Sequence, residues 1–156
     1  MEQTQTPNYE KQAAYAERKV QLKKAMKGGF YFEAIFLAYA IMEDRTESVL
    51  RHAGGIKLVN SRNQPLKLSE KLRKIRSCSP FAEKYVRQRL TPELLDRIDA
   101  WRVRRNDLVH YLMNSPTATD ELQAVAEEGY EIVKLLDNKA QSVNRYFDKQ
   151  HAAETE

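Results

Sequence analysis

The chain has 156 residues, enough to bury the core of one domain, and its 42% hydrophobic and 31% charged content is typical of a globular rather than a disordered protein. Five glycines and five prolines leave few breaks, which favours long helices over many short strands. The single cysteine, Cys78, excludes an intrachain disulfide and a cysteine-rich metal site, and we expect neither a metal nor any other cofactor.

The net charge of +4 is unevenly distributed along the chain. Residues 66–89 carry eight basic side chains against two acidic ones, whereas residues 114–138 carry six acidic side chains and one lysine. A strongly basic segment favours a polyanionic partner, although a solvated helix face with lopsided charge is an equally good interpretation. Because the N-terminal residues are polar throughout and show no secretory signal, we expect a cytoplasmic protein.

The first part of the chain predicts two long helices separated by a glycine pair. Residues 8–27 favour a helix that ends at Gly28 and Gly29. The next helix spans residues 30–53, and its first thirteen residues carry one charge, too short an apolar run for a membrane span and typical of a helix at the centre of a bundle. One line of side chains along it, with Glu43 at the edge, comprises Ile35, Tyr39, Met42, Thr46, Val49 and Ala53.

A basic insertion follows the second helix. Residues 54–66 predict a loop with a short extended piece at 56–59, and residues 67–77 predict a short helix with cations on one side. Ser79 and Pro80 then begin another turn.

Two further long helices complete the chain. A threonine–proline pair at 91–92 predicts an N-cap and first helical residue for a helix that runs to about Met113. After a turn, Thr119 or Asp120 is expected to cap a last helix that runs to about Lys149. The apolar stripe of this last helix is formed by Leu122, Val125, Gly129, Ile132, Leu136, Val143 and Phe147.

These elements predict an all-α protein, a bundle of four long helices plus a short basic helical insertion. We expect a single domain over residues 1–156, with flexible tails at residues 1–7 and 150–156.

One residue breaks the apolar pattern of the helix that starts at residue 92. At 100° per residue, Ile98, Trp101 and Leu108 fall within about 40° of Leu94 on the helix surface, and Arg105 falls at about 20°. A guanidinium does not lose its proton in proteins, so one placed in an apolar arc must find an anion or several acceptors.

Two polar residues lie beside this arginine on the same helix. Asn106 and His110 are i, i+4 neighbours on the margin of the apolar arc, so their side chains are predicted to touch. The guanidinium of Arg105 suits a phosphate, and imidazole titrates near neutral pH. We expect Glu43 to be the internal partner of Arg105, the alternative being a surface acid paired with a cation such as Arg51.

The segment "RNDLVH", Arg105 to His110, resembles the R-x4-H signature of the HEPN superfamily. This resemblance implies a helical bundle and a metal-independent ribonuclease whose active site forms across a homodimer, with Arg105, Asn106 and His110 as catalytic residues. A toxin branch of the family usually carries tyrosine two residues after the histidine, and here Leu112 holds that position.

Spacing alone does not single out this segment, because a looser spacing of arginine and histidine occurs elsewhere in the chain. The position of Arg105 in the apolar arc and the asparagine that follows it set it apart. The other matches are Arg45 with His52, Arg104 with His110, and Arg145 with His151.

Metal-independent RNA cleavage needs a base for the 2′-hydroxyl, an acid for the leaving 5′-oxygen and a cation for the phosphate, and histidine and arginine suit these roles. One chain offers one such histidine, so a two-fold dimer would supply the second. Contacts to RNA phosphates that do not depend on base sequence are expected from Lys71, Arg73, Lys74, Arg76, Arg87 and Arg89.

Three functions therefore stay open. The first is a HEPN endoribonuclease, acting as a toxin or a phage-defence effector with an antitoxin or other partner protein. The second is a non-catalytic HEPN module that binds a nucleotide or a protein. The third is a helical dimerisation protein in which Arg105 and His110 only orient two helices.

Overall fold

The computed structural model describes residues 8–114 and 118–156. Within these ranges the protein is all-α and has no strand, which confirms the predicted bundle of four long helices with a short basic insertion. A short 3₁₀ turn, Ser79–Ala82, lies between the third and fourth helices. The helices are α1 (Asn8–Gly28), α2 (Tyr31–Ala53), α3 (Leu68–Ser77), α4 (Lys84–Arg87), α5 (Pro92–Tyr111) and α6 (Ala118–Glu154).

Helices α2 and α6 form the centre of the bundle and run side by side in the same direction. Asn144 on α6 donates a hydrogen bond to Ser48 on α2 over 3.0 Å, and one turn further along both helices the His52 ring bonds the Asp148 carboxylate over 2.7 Å. Helix α1 packs on α2, and α5 packs on α6. Most of the core therefore lies between α2 and α6.

Helix α5 runs antiparallel to α6. Arg97 forms an ion pair with Glu128 at 2.6 Å, and the indole N–H of Trp101 donates to the main-chain oxygen of Val125 over 2.8 Å. Trp101 is 2% exposed, so it fills the core as its place in the apolar arc predicts. The predicted stripe of α6 is confirmed, since Leu122, Val125, Gly129, Ile132, Leu136, Val143 and Phe147 are all buried.

The predicted helix starts and turns are confirmed in part. The Thr91 side chain accepts the N–H of Leu94 over 3.2 Å and caps α5 as expected. Gly29 has a φ of 72°, a conformation that glycine adopts without steric cost, and it separates α1 from α2. The extended piece predicted at 56–59 is reduced to one β-bridge between Val59 and Pro65.

The last helix is longer than predicted at both ends. Thr119 and Asp120 lie inside α6, so neither caps it, and residues 115–117 before it lie outside the described residues. The helix continues past Lys149 to Glu154, and Ala152, Ala153 and Glu154 in this extension favour helix. Residues 150–154 of the predicted C-terminal tail are therefore helical, and the N-terminal tail at 1–7 falls outside the described part.

Among the helices of the described ranges, none has the length and apolar character that crossing a bilayer requires. The apolar start of α2 instead packs against other helices, and its residues Ala34, Ile35, Leu37, Ala38 and Ile41 are buried.

Gly129 is required by the close approach of α5 to α6. A Cβ at this position would lie 2.7 Å from Cζ2 of Trp101, whose ring is buried and held by its hydrogen bond to Val125. Alanine normally stabilises a helix interior relative to glycine by about 1 kcal/mol. Here the overlap dominates, and we predict that Gly129→Ala lowers the free energy of unfolding by about 1–3 kcal/mol.

Chemical denaturation followed by circular dichroism measures this effect. The control is Gln123→Ala on the exposed side of the same helix, which should change stability by less than about 0.5 kcal/mol. A Gly129→Ala protein as stable as the unmodified chain would show that α5 and α6 are not in such close contact.

Candidate functional site

Arg105 lies on α5 with its side chain half-buried against α2. The central carbon of its guanidinium is 4.4 Å from the centre of the Tyr39 ring, a cation–π contact. Its Nη1 donates to Oδ1 of Asn106 over 3.0 Å. The Nε atom is buried and has no hydrogen-bond partner within the described residues. The Nε atom of Arg105 is thus buried, as the sequence predicts, while the Nη1 atom faces Asn106.

The predicted ion pair between Arg105 and Glu43 does not occur within the described residues, and Tyr39 takes the place of Glu43 beside the guanidinium. Burial of Tyr39, followed by the negative charge of Glu43, raises the pKa of the tyrosine hydroxyl, and the charges of Arg105 and Arg102 partly oppose that shift. Glu43 therefore lies close enough to Tyr39 to act on its hydroxyl. The sequence did not reveal Tyr39 as the partner, because aromatic rings are common in apolar helices.

His110 is exposed, one residue before the end of α5. It lies about 7.5 Å along the helix axis from Arg105 and about 140° around it. No hydrogen bond within the described residues joins it to Arg105 or to Asn106. The guanidinium still turns toward the side of the helix that Asn106 and His110 share.

The other two histidines lie at a different part of the molecule. His52 is held by its bond to Asp148, and the ring of His151 lies where a side chain on Gly54 would contact it at 3.4 Å. Neither belongs to α5.

Lys71 differs from the other predicted phosphate contacts. It is 6% exposed, and its ammonium donates to the main-chain oxygen of Glu43 on α2 over 3.2 Å. This lysine therefore joins α3 to α2 and is not presented to a phosphate. Arg76 forms an ion pair with Asp96 at 2.8 Å on the surface. Because exposed ion pairs are weak, a phosphate can take the place of Asp96 at little cost in free energy.

Arg89 also makes a contact within the protein. Its guanidinium lies 3.3 Å from the centre of the Tyr85 ring, whose opposite face stacks on Tyr146 at 4.7 Å. Both faces of Tyr85 are covered, so this tyrosine does not stack on RNA bases. The exposed or half-exposed cations that remain from the predicted set are Arg73, Lys74, Arg76 and Arg87.

An aromatic stripe on α2 leads to the Arg105 site. Phe32 is 57% exposed and Phe36 is 68% exposed, and Tyr39 continues the same face one turn later. We call Phe32, Phe36 and Tyr39 the α2 stripe. Because Phe32 and Phe36 are exposed, neither fills the core.

Comparisons of this chain with models of protein families, with curated proteins and with solved structures found no match in any of the three. These comparisons identify no family. The all-helical bundle is established by the structure itself, and the specific part of the resemblance is residues 105–110.

A stability measurement separates the structural lysine of α3 from its exposed neighbour. Lys71→Ala removes the hydrogen bond to Glu43 and the packing of a buried aliphatic stem, so we predict a loss of about 1–2 kcal/mol in the free energy of unfolding. Arg73→Ala, on the exposed side of α3, should change it by less than about 0.5 kcal/mol. Equal effects of the two substitutions in urea denaturation would contradict the assignment.

Proposed function

We propose that the protein is a metal-independent endoribonuclease of the HEPN type that works as a homodimer. The observation that carries this proposal is the position of the Arg105 guanidinium, which turns toward Asn106 on the side of α5 where His110 is exposed. A permanent cation and an exposed imidazole thus occur on adjacent sides of one helix, within the segment that resembles the family signature.

Each residue of this surface has a chemical role in the proposal. Arg105 binds the scissile phosphate, whose charge rises in the transition state. Asn106 holds the guanidinium through its side-chain oxygen and keeps the cation at the surface. Tyr39 supports the guanidinium from below, and the energy of this contact is greatest when water is excluded.

The reaction is an in-line displacement at phosphorus. One His110 takes the proton of the 2′-hydroxyl, the 2′-oxygen bonds to phosphorus, and the bond to the 5′-oxygen breaks as that oxygen receives a proton. The second proton transfer requires a second imidazole, which the His110 of another copy supplies. The products are a 2′,3′-cyclic phosphate and a 5′-hydroxyl.

The α2 stripe is the proposed contact between the two copies. Burying an exposed phenylalanine side chain contributes about 1.5–3 kcal/mol, and a two-fold interface buries each residue twice. The stripe ends at Tyr39, so pairing of two stripes places both Arg105 sites close to the interface. Three further apolar side chains are exposed, Val103 and Val109 on α5 and Met113 just after it.

The RNA strand is proposed to lie along α3 and α4. Their exposed cations contact phosphates without reading base sequence, so binding weakens as the salt concentration rises. As a toxin or phage-defence effector, the protein would act in the cytoplasm and be held in check by a partner protein.

A second candidate function is a non-catalytic binding module. The observation that favours it is that Arg105 already contacts Tyr39 and Asn106, so the cation has a structural use without any RNA.

Cleavage of a single-stranded RNA in the presence of EDTA tests the first candidate. We predict a product that ends in a 2′,3′-cyclic phosphate, and a rate that falls by about 10²–10⁴-fold in Arg105→Ala and in His110→Ala, because each removes one element of the proton-transfer and phosphate site. Both side chains are at least partly exposed, so both variants should fold.

Matched controls exist in the same chain. Arg104 is the exposed neighbour of Arg105, and His52 is bonded to Asp148, so Arg104→Ala and His52→Ala should cleave at rates close to the unmodified protein. Cleavage that survives in His110→Ala, or that all four substitutions reduce equally, would refute the proposed site. Folded protein that binds RNA without cleaving it would favour the second candidate.

Substitution of Phe36 tests the dimer. Phe36→Glu places a charge in the proposed interface, and we predict that the dimer dissociation constant rises at least about tenfold and that cleavage falls with it. Sedimentation velocity over a range of protein concentrations measures the first effect. Lys27→Glu, at an exposed position of α1, is the control, and an unaltered dimer in Phe36→Glu would exclude the α2 stripe as the interface.

A further inference from the structure

A cavity of about 420 Å³ opens between α1 and α6, away from the Arg105 site. This volume lies within the range of small-molecule pockets, about 300–1,000 Å³. Its walls include the side chains of Leu22 and Val133, which are 1% and 3% exposed, and Val20 at the rim. The inner part of the cavity is therefore apolar and belongs to the packed core, which makes it rigid.

The charged groups of the cavity are mostly cations. Lys19, Lys23 and Lys134 line it, against a single lining carboxylate, Asp137. Lys134 also pairs with Glu131 on the surface at 2.6 Å. Within residues 8–114 and 118–156, Lys23 forms no ion pair. Lys23 thus brings to the rim a cation that is unpaired among the described residues, beside Lys134, whose exposed ion pair with Glu131 contributes little and can give way to a phosphate.

Asp137 does not make the cavity acidic, because its charge is already compensated. Its carboxylate accepts hydrogen bonds from Lys19, over 2.5 Å, and from the Tyr15 hydroxyl. Burial alone raises the pKa of Asp137, but these two hydrogen bonds and the charge of Arg45 outweigh burial and hold that pKa below its usual value. The carboxylate is therefore ionised and neutralised on the α1 side.

Tyr130 supplies an aromatic wall beside the cations. Its ring lies 4.6 Å from the ammonium of Lys134, and the exposed amides of Asn138 and Gln141 stand along the same side of the cavity. An organic anion with a flat apolar body matches each of these groups, since its body contacts Val133 and Tyr130 while its anionic end reaches Lys23 and Lys134.

We propose that the α1–α6 cavity binds a small aromatic phosphate monoester, with the phosphate between Lys23 and Lys134 and the aromatic body on the apolar wall. This site is separate from the proposed ribonuclease site and does not depend on it. Inorganic phosphate lacks the apolar body and a neutral aromatic alcohol lacks the charge, so each alone binds more weakly than the two joined.

The probe is 1-naphthyl phosphate, titrated into the full-length protein by calorimetry. We expect saturable binding with a dissociation constant below about 1 mM. The double variant Lys23→Ala, Lys134→Ala should weaken binding at least about tenfold. The double variant Lys27→Ala, Lys139→Ala removes two lysines outside the cavity and should leave the affinity unchanged within about twofold, as should His110→Ala.

Three results would overturn the site. The first is equal weakening by the two double variants, which would show that net charge alone attracts the probe. The second is binding of inorganic phosphate as tight as that of 1-naphthyl phosphate, which would show that the apolar wall plays no part. The third is the absence of saturable binding, which would show that the cavity does not bind this class of ligand. Because His110→Ala retains the cavity, failure of the ribonuclease proposal and failure of this site are distinguishable.

Discussion

A guanidinium that cannot lose its proton is the constraint from which the candidate site follows. Placing Arg105 in the apolar arc of α5 obliges the chain to surround it with groups that tolerate a cation, and the Tyr39 ring and the Asn106 oxygen do so. The same contacts orient the end of the side chain toward the surface that His110 occupies. The unpaired Nε within the described residues shows that the surrounding helices do not satisfy the group fully.

Helix α2 connects this site to the rest of the molecule. One side of it packs along α6 in parallel, another against α1, and its middle accepts a hydrogen bond from Lys71 of α3. Its remaining face carries the α2 stripe, which ends beneath Arg105. Its two phenylalanines, Phe32 and Phe36, are exposed beside a well-packed core. Helix α2 therefore links the proposed dimer contact to the proposed catalytic site.

Periodicity predicted the fold well because it reports which side of each helix is buried. It placed Trp101 and the α6 stripe in the core, and the threonine–proline pair marked the start of α5. The start of α6 was missed because Thr119 and Asp120 have capping side chains but lie within the helix.

The burial of Lys71 was missed because its charge suggested a surface residue. Its position, three residues after the buried Leu68, nevertheless lies at the edge of the apolar side of α3. The sequence of one helix does not show which other helices it contacts. Only the folded structure therefore shows that Tyr39, and not Glu43, lies beside Arg105.

The most direct test of the account is a crystal structure of the protein with an RNA dinucleotide whose 2′-hydroxyl is methylated, so that cleavage is blocked. The account predicts a two-fold dimer in which the bridging phosphate accepts a hydrogen bond from Arg105 and both His110 rings lie within reach of its 2′- and 5′-oxygens. A dinucleotide bound elsewhere, or two His110 rings too far apart to reach one phosphate, would contradict it.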